Sequence, residues 1–322
     1  MHRWKVSILQ RWPGPTSAES LAVPSIPFVQ DHQFRYGVIE TVAPGIRRLT
    51  ARNAGVFTYH GTGTYIVGTG EVAVIDPGPD DPEHIRALIH GLQGERISHI
   101  LITHCHQDHS PGARQLQAAC GAPTFAFGPH GTKTEPGAIA AEEGVDTEFS
   151  PDVRLVDGQR LAIGDCEVEC LHTPGHTSNH MCFALTGPGT LFSGDHVMAW
   201  STSVIIPPDG NMADYLASLT ALLKREDTGY WPTHGPPLDN PHDYIEALIA
   251  HRHQRMTDIL QLLEIAPHHI TQMIPPLYPE LDTRLYQAAS RSIFASVLYL
   301  IEAGEIETSD NATLNSTYHR TR

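Results

Sequence analysis

Between residues 37 and 240 the chain alternates short apolar runs with turns. Tyr65-Ile66-Val67 and Val72-Ala73-Val74-Ile75 read as two strands joined through Gly68-Thr69-Gly70, and Ile97 to Thr103 (ISHILIT) reads as a buried strand. Further strands are expected at 167–171 (EVECL), 181–185 (MCFAL), 190–193 (TLFS) and 229–231 (GYW). Asp81 to Gly91 predicts a helix, with Asp81 as cap, Pro82 in the first turn and Gly91 as stop, and Pro111 to Ala119 predicts the next. Strands alternating with helices, with some hairpins, indicate an α/β sandwich with mixed sheets.

The texture changes after about residue 240. Tyr244 to Leu263 carries apolar residues at helical spacing (Ile245, Leu248, Ile249, Met256, Ile259, Leu260). A short helix broken by Pro275-Pro276 is expected over 270–277, and a longer one over 283–303, ended by Gly304. Three helices and a turn-rich tail suit a small winged-helix-like C-terminal domain. The expected division is an N-terminal arm (1–36), rich in Pro, Ser and Ala, a catalytic domain (37–243) and the C-terminal domain (244–322).

Composition narrows the function. The chain has 322 residues, and 40% are hydrophobic, enough for a packed core. The formal net charge of -15 gives no long-range attraction for nucleic acid or anionic membrane. The five cysteines form no CxxC pair and read as reduced thiols; with neither a secretory signal nor a membrane span in the pattern, a cytoplasmic protein is expected. The 21 histidines equal Lys and Arg together, which matters because several cluster at ligand spacing.

That cluster is His104-Cys105-His106-Gln107-Asp108-His109, directly after a buried strand. Four ligand-type residues in six need a loop at a strand end, since within a strand they would face opposite sides. His104 and His106 can face one metal, and Asp108 and His109 a second. Three more strand ends deliver His or Asp: His172-Thr173-Pro174-Gly175-His176, Gly194-Asp195-His196 and Pro232-Thr233-His234. Polar groups collected at strand ends fit the general placement of sites in α/β folds. His172, His180 and His196 read equally as ligands or as structural histidines. Cys105, between two residues facing the metal, reads as a core thiol. Asp76, in Ile75-Asp76-Pro77-Gly78, reads either as an anchor behind a ligand or as a turn residue.

The segments HCHQDH, TPGHT, SGDH and THG, in this order, resemble the metallo-β-lactamase superfamily of αββα hydrolases over about residues 38 to 238. The stretch from GDHVMAWSTSVIIPPDGNMADYLASL through AHRHQRM is similar to the β-lactamase-like protein 2 branch, which carries a C-terminal winged helix and includes endoribonucleases acting on single-stranded RNA. The resemblance implies that His104, His106 and His176 hold one metal, that Asp108, His109 and His234 hold the second, and that Asp195 bridges them. It implies two zinc ions, with manganese or iron as alternatives, and a metal-bridging hydroxide as nucleophile, oriented by Asp108. His180 is a candidate for steadying a substrate oxygen. The bridging carboxylate argues against a dedicated β-lactamase. Gly63 stands where the branch often has Asn.

The resulting expectation is a dinuclear hydrolase, with single-stranded RNA placed slightly ahead. The alternative is a thioester or lactone hydrolase of the glyoxalase II type, or β-lactam side activity. Charge opposes RNA: from Arg252 to Arg322 there are six Arg, no Lys and eight acidic residues, so that region packs on the catalytic domain or mediates a homodimer. A non-catalytic binding protein would be marked by lost ligands, and an iron-dependent oxygenase by a single metal.

Overall fold

The computed structural model describes residues 25–131, 144–187 and 189–321. Residues 1–24 of the expected N-terminal arm lie outside them.

Two sheets stand face to face. The first runs in spatial order β1 (Glu40–Ala43), β2 (Ile46–Thr50), β3 (Gly63–Thr69), β4 (Glu71–Ile75), β5 (Arg96–Leu101), β6 (Thr124–Ala126) and β7 (Val153–Arg154). Pairing is antiparallel from β1 to β4 and parallel from β4 to β7; the β4–β5 and β5–β6 crossovers carry α1 (Pro82–Gly91) and α2 (Gly112–Cys120). The second sheet holds β8 (Arg160–Ile163), β9 (Cys166–His172), β10 (Met181–Leu185), β11 (Thr190–Gly194), β12 (Gly229–Pro232) and β13 (Leu238–Asp239), neighbours in that order. The segment between β11 and β12 contains α3 (Met212–Leu222), and those two strands pair in parallel.

The strand alternation partitions the core into layers. Tyr65, Val67, Ala73 and Ile75 point inward and pack with Val168, Phe183 and Phe192 of the second sheet. Ile66, Val72, Val74 and Ile100 point outward and are covered by Ile85, Leu88, Ala113 and Leu116 of α1 and α2. Both faces of β3 and β4 are dry, so Tyr65-Ile66-Val67 and Val72-Ala73-Val74-Ile75 read as continuous apolar runs. Across the other sheet, Cys182, Ala184, Leu191 and Tyr230 meet Tyr215 and Leu219 of α3. The architecture is αββα.

The third cluster continues without a break into the C-terminal helices α4 (Pro241–Ile265), α5 (Ile270–Leu277) and α6 (Tyr286–Glu302), through Tyr244, Leu248, Ile259, Met273 and Ile293. A small sheet of β14 (His268–His269), β15 (Ile306–Glu307) and β16 (Thr317–Arg320), ordered β14-β16-β15, completes this region. The expected break at Pro275-Pro276 is absent: α5 continues to Leu277, and the Tyr278 N–H closes the last turn on Ile274 O. Proline's fixed φ is itself helical, and the buried face of Ile270, Met273, Ile274 and Leu277 holds the turn. Among the described residues no helix is long and apolar enough to cross a membrane.

Candidate metal centre

Four loops meet at one edge of the sandwich, each following a strand whose inward face is anchored in the core. β5 leads to residues 104–109, β9 to His176, β11 to Asp195 and β12 to His234. Their side chains converge. His106 Nδ1 lies 3.0 Å from His104 Nε2 and 3.2 Å from His176 Nε2. His234 Nε2 lies 3.0 Å from Asp108 Oδ2, and His109 Nε2 lies 3.5 Å from the same oxygen. Asp195 Oδ2 sits between the two groups, 3.5 Å from both His109 Nε2 and His234 Nε2 and 3.9 Å from His176 Nε2. All seven side chains are buried, with Asp108 the most accessible at 8%.

These residues fit a pair of cations. Two nitrogens bound tetrahedrally to one zinc at ~2.1 Å are separated by roughly 3.4 Å, close to the spacing of the three imidazoles. His109 Nε2, His234 Nε2, Asp108 Oδ1 and Asp195 Oδ1 are buried with no hydrogen-bond partner, although buried polar atoms are normally satisfied.

The histidines are fixed from behind. His109 Nδ1 donates to Asp76 Oδ2 at 2.9 Å, His176 Nδ1 to Val204 O at 2.6 Å and His234 Nδ1 to Gly61 O at 3.3 Å. Each leaves its other nitrogen aimed at the centre, the arrangement that orients imidazole ligands. Asp76 also accepts from Thr103 N, Thr103 Oγ1 and Thr233 Oγ1, so of its two sequence readings the anchor holds, on a backbone with φ 49°. Nothing in the sequence singles out Thr103 or Thr233, though each directly precedes a candidate ligand. The carbonyls of Val204 and Gly61 leave no side-chain signal at all.

Electrostatics divides the cluster. Burial, then the neighbouring His109, His106 and His176, hold His104 well below the usual imidazole range, so it presents a lone pair rather than a proton. At the other group burial opposes charge but is outweighed: Asp108, Asp195 and Asp76 push His109 well above its ordinary value, and Asp195 with Asp108 pushes His234 up to about 10. Asp108 and Asp195 are driven down by the same histidines, against burial. A cation placed among them would take over the role of those protons.

The other candidates stay outside. His180 is fully buried behind the loops: its Nε2 accepts from Asp195 N–H at 3.2 Å and its Nδ1 meets Thr173 Oγ1 at 2.9 Å, so both nitrogens are engaged away from the cleft. His196 is buried against the Tyr215 ring. His172 stacks on Phe127 at 3.8 Å. Cys105 is a core thiol that accepts from Asn179 Nδ2, and burial raises its pKa to about 12.

Residues 58–234 match the family profile of the metallo-beta-lactamase superfamily. The chain belongs to that superfamily. A β-lactamase-like protein 2 homolog of Drosophila melanogaster is 31% identical over 84% of this chain and 94% of its own length. An atrochrysone carboxyl ACP thioesterase of Cryptosporiopsis is 31% identical over 70% of this chain, which spans 65% of that protein. The crystal structure of a β-lactamase domain protein from Burkholderia ambifaria superposes with a TM-score of 0.75 at 21% identity, over 90% of this chain and 96% of that one. That likeness extends the shared fold beyond the sandwich into the C-terminal helices. The chain is thus a metallo-β-lactamase-fold hydrolase with a His/Asp cluster suited to metal.

Proposed function

We propose that this metallo-β-lactamase-fold protein is a dinuclear hydrolase of small acyl substrates, thioesters or lactones. His104, His106 and His176 would hold one cation, Asp108, His109 and His234 the second, and Asp195 both. The approach of Asp195 Oδ2 to histidines of both groups is the observation that carries the dinuclear reading. Imidazole and carboxylate donors suit zinc, with manganese or iron as alternatives. When bound, the cations supply Lewis acidity and lower the pKa of a coordinated water.

The protein's own part is orientation and proton handling. Asp108 is the most accessible carboxylate of the set, and its Oδ1 is unpartnered. It accepts a hydrogen bond from the attacking water and holds that proton at Oδ1. Attack on a thioester carbonyl forms a C–O bond and breaks the C–S bond; the proton then passes to the leaving thiolate. Products are an acid and a thiol.

The acyl reading rests on charge. Of the arginines beyond residue 250, Arg252 and Arg291 are buried at 4% and 3%. Arg255, Arg284 and Arg320 are each paired with an acidic neighbour. Among the described residues little unpaired cationic surface is left there for a polyanion, and the net charge is -15. The named thioesterase among the relatives points the same way. RNA cleavage is the second reading, favoured by the similarity to the β-lactamase-like protein 2 branch over nearly the whole chain.

The test is a panel of thioester, lactone, single-stranded RNA and β-lactam substrates with metal-loaded and chelated protein, alongside metal analysis. Two ions per chain with chelator-sensitive thioester or lactone turnover supports the proposal. RNA cleavage alone would reject the acyl substrate, and one ion or none would reject the dinuclear centre.

A further inference from the structure

A buried arginine of the C-terminal helices reaches the candidate metal centre. Arg252 of α4 is 4% exposed, and its Nη2 donates to Ser203 O at 2.5 Å. Ser203 is itself buried, and the single proton of its hydroxyl is shared between Asp195 O at 2.5 Å and His196 O at 2.8 Å. The next residue, Val204, supplies the carbonyl that accepts from His176 Nδ1. Tyr215 lies under the guanidinium, 5.2 Å from ring centroid to Cζ, and its hydroxyl also donates to His196 O.

The opposite end of Asp195 is held as well. Its N–H donates to His180 Nε2, and the close approach of that ring is open only because residue 194 is glycine: a Cβ there would lie 2.5 Å from His180 Nε2. Asp195 is therefore clamped at both backbone groups, on one side by His180 and on the other by Ser203. Loop carbonyls buried at such a spot need fixed donors, and a guanidinium anchored in a helix is a stiff one.

We infer that Arg252, acting through Ser203, is a positioning residue that presets two candidate ligands, the bridging Asp195 and His176, and so couples the C-terminal region to metal binding. The inference rests on the dinuclear reading above. It gives the C-terminal helices a task inside their own chain: packing them on the second sheet carries Arg252 to the loop that bears the shared carboxylate.

The test is zinc affinity of full-length protein, stripped and reloaded in competition with a chromophoric chelator. Residues that orient ligands typically change affinity by about 10–100-fold when removed. Arg252→Met, which keeps the aliphatic stem over Tyr215, should weaken zinc binding by a factor in that range. Ser203→Ala should weaken it similarly, and the double variant should be no weaker than the weaker single one, because both act along one path. Arg252→Lys should recover part of the loss. Arg255→Met, on the same helix but bonded to Leu277 O and Asp258, should bind zinc as tightly as the parent. If Arg252→Met fails to fold, Ser203→Ala carries the same reading, since it removes one hydroxyl.

Affinities within twofold of the parent in both variants would overturn the inference. So would an equal loss in Arg255→Met, which would mark general loosening of the helices. A parent protein that binds no metal would instead sink the dinuclear reading itself, so the two failures are separable.

Discussion

His109 donates its Nδ1 proton to Asp76 Oδ2 at 2.9 Å with both side chains fully excluded from solvent. Asp76 comes from the end of β4 and His109 from the loop after β5, so this contact joins two neighbouring strand ends. The same carboxylate gathers Thr103 and Thr233, tying in the segment that bears His234.

Asp76→Asn should therefore injure metal binding more than its distance from any substrate suggests. An amide offers one oxygen to four donors and turns its own N–H₂ toward one of them. Second-layer carboxylates of this type contribute about 10–100-fold to metal affinity or activity. Chelator competition should show a loss in that range. Unchanged affinity would show that Asp76 serves only the turn.

Asp108→Asn should fold and lose turnover. The substitution conserves shape, and Asp108 sits at the accessible face of the cluster. Proton handling by a positioned group contributes about 10²–10⁴-fold, so kcat on the best substrate should fall by at least about 10² while circular dichroism stays at the parent's. Retained kcat would remove Asp108 from its assigned role.

How far the sequence reached is clear from individual residues. The HCHQDH loop is legible because four ligand-type residues fall within six positions, and β3 and β4 are legible because both their faces are buried. β2 and α3 are hard to read in the sequence for opposite reasons. Arg47 and Arg48 interrupt the apolar pattern of β2, although Arg48 is buried with its Nη1 on Gly235 O. α3 buries Met212, Tyr215, Leu216, Leu219 and Leu222 along one stripe, but Ala213, Ala217 and Ala221 on the other side weaken the contrast between its faces. His180 stands four residues after His176 in the sequence, but only the fold shows its ring turned to the backbone of Asp195. The arginine of α4 stands 57 positions from Asp195, and the carbonyl between them is invisible in a string of side chains.

Acid should destabilise the fold through a buried histidine that is not among the seven candidate ligands. His84 of α1 is 5% exposed, and burial, opposed by the nearby Asp81, lowers its pKa to about 4. The unfolded chain binds that proton near pH 6.5 and the folded chain only near pH 4, so between those values the unfolded state takes up more protons. The stability this group contributes is fully present above about pH 6.5 and is lost as pH falls toward 4. The loss is on the order of 2–3 kcal/mol by pH 4.5. His84→Gln keeps a polar group for Thr64 Oγ1 and cannot titrate. Urea unfolding at pH 7.0, 5.5 and 4.5 should show a shallower decline in this variant. Parallel declines would exclude His84 as a source.

Gly175→Ala should disable both the fold and the site, because Gly175 lies where α3 meets the loop of His176. Its φ is 144°, and an added Cβ would stand 2.4 Å from Tyr215 Cα and 2.6 Å from Tyr215 N. Those are backbone atoms near the start of α3, so no rotamer change relieves the contact; either the loop or the helix must move. Overpacking alone costs about 1–3 kcal/mol, and strained φ adds to it. The displacement also reaches function. The Gly175 carbonyl accepts from Asn211 N–H at the cap of α3, and the neighbouring His176 is oriented by Val204 O. Shifting residue 175 moves that imidazole relative to His104 and His106, so zinc affinity should fall together with the unfolding midpoint. At Gly121, by contrast, φ is 73° but a Cβ would meet nothing within 4 Å. Gly121→Ala should therefore lower the midpoint through backbone strain alone and leave zinc affinity at the parent value. Equal affinity losses in the two variants would mean that general destabilisation, and not the placement of His176, governs metal binding.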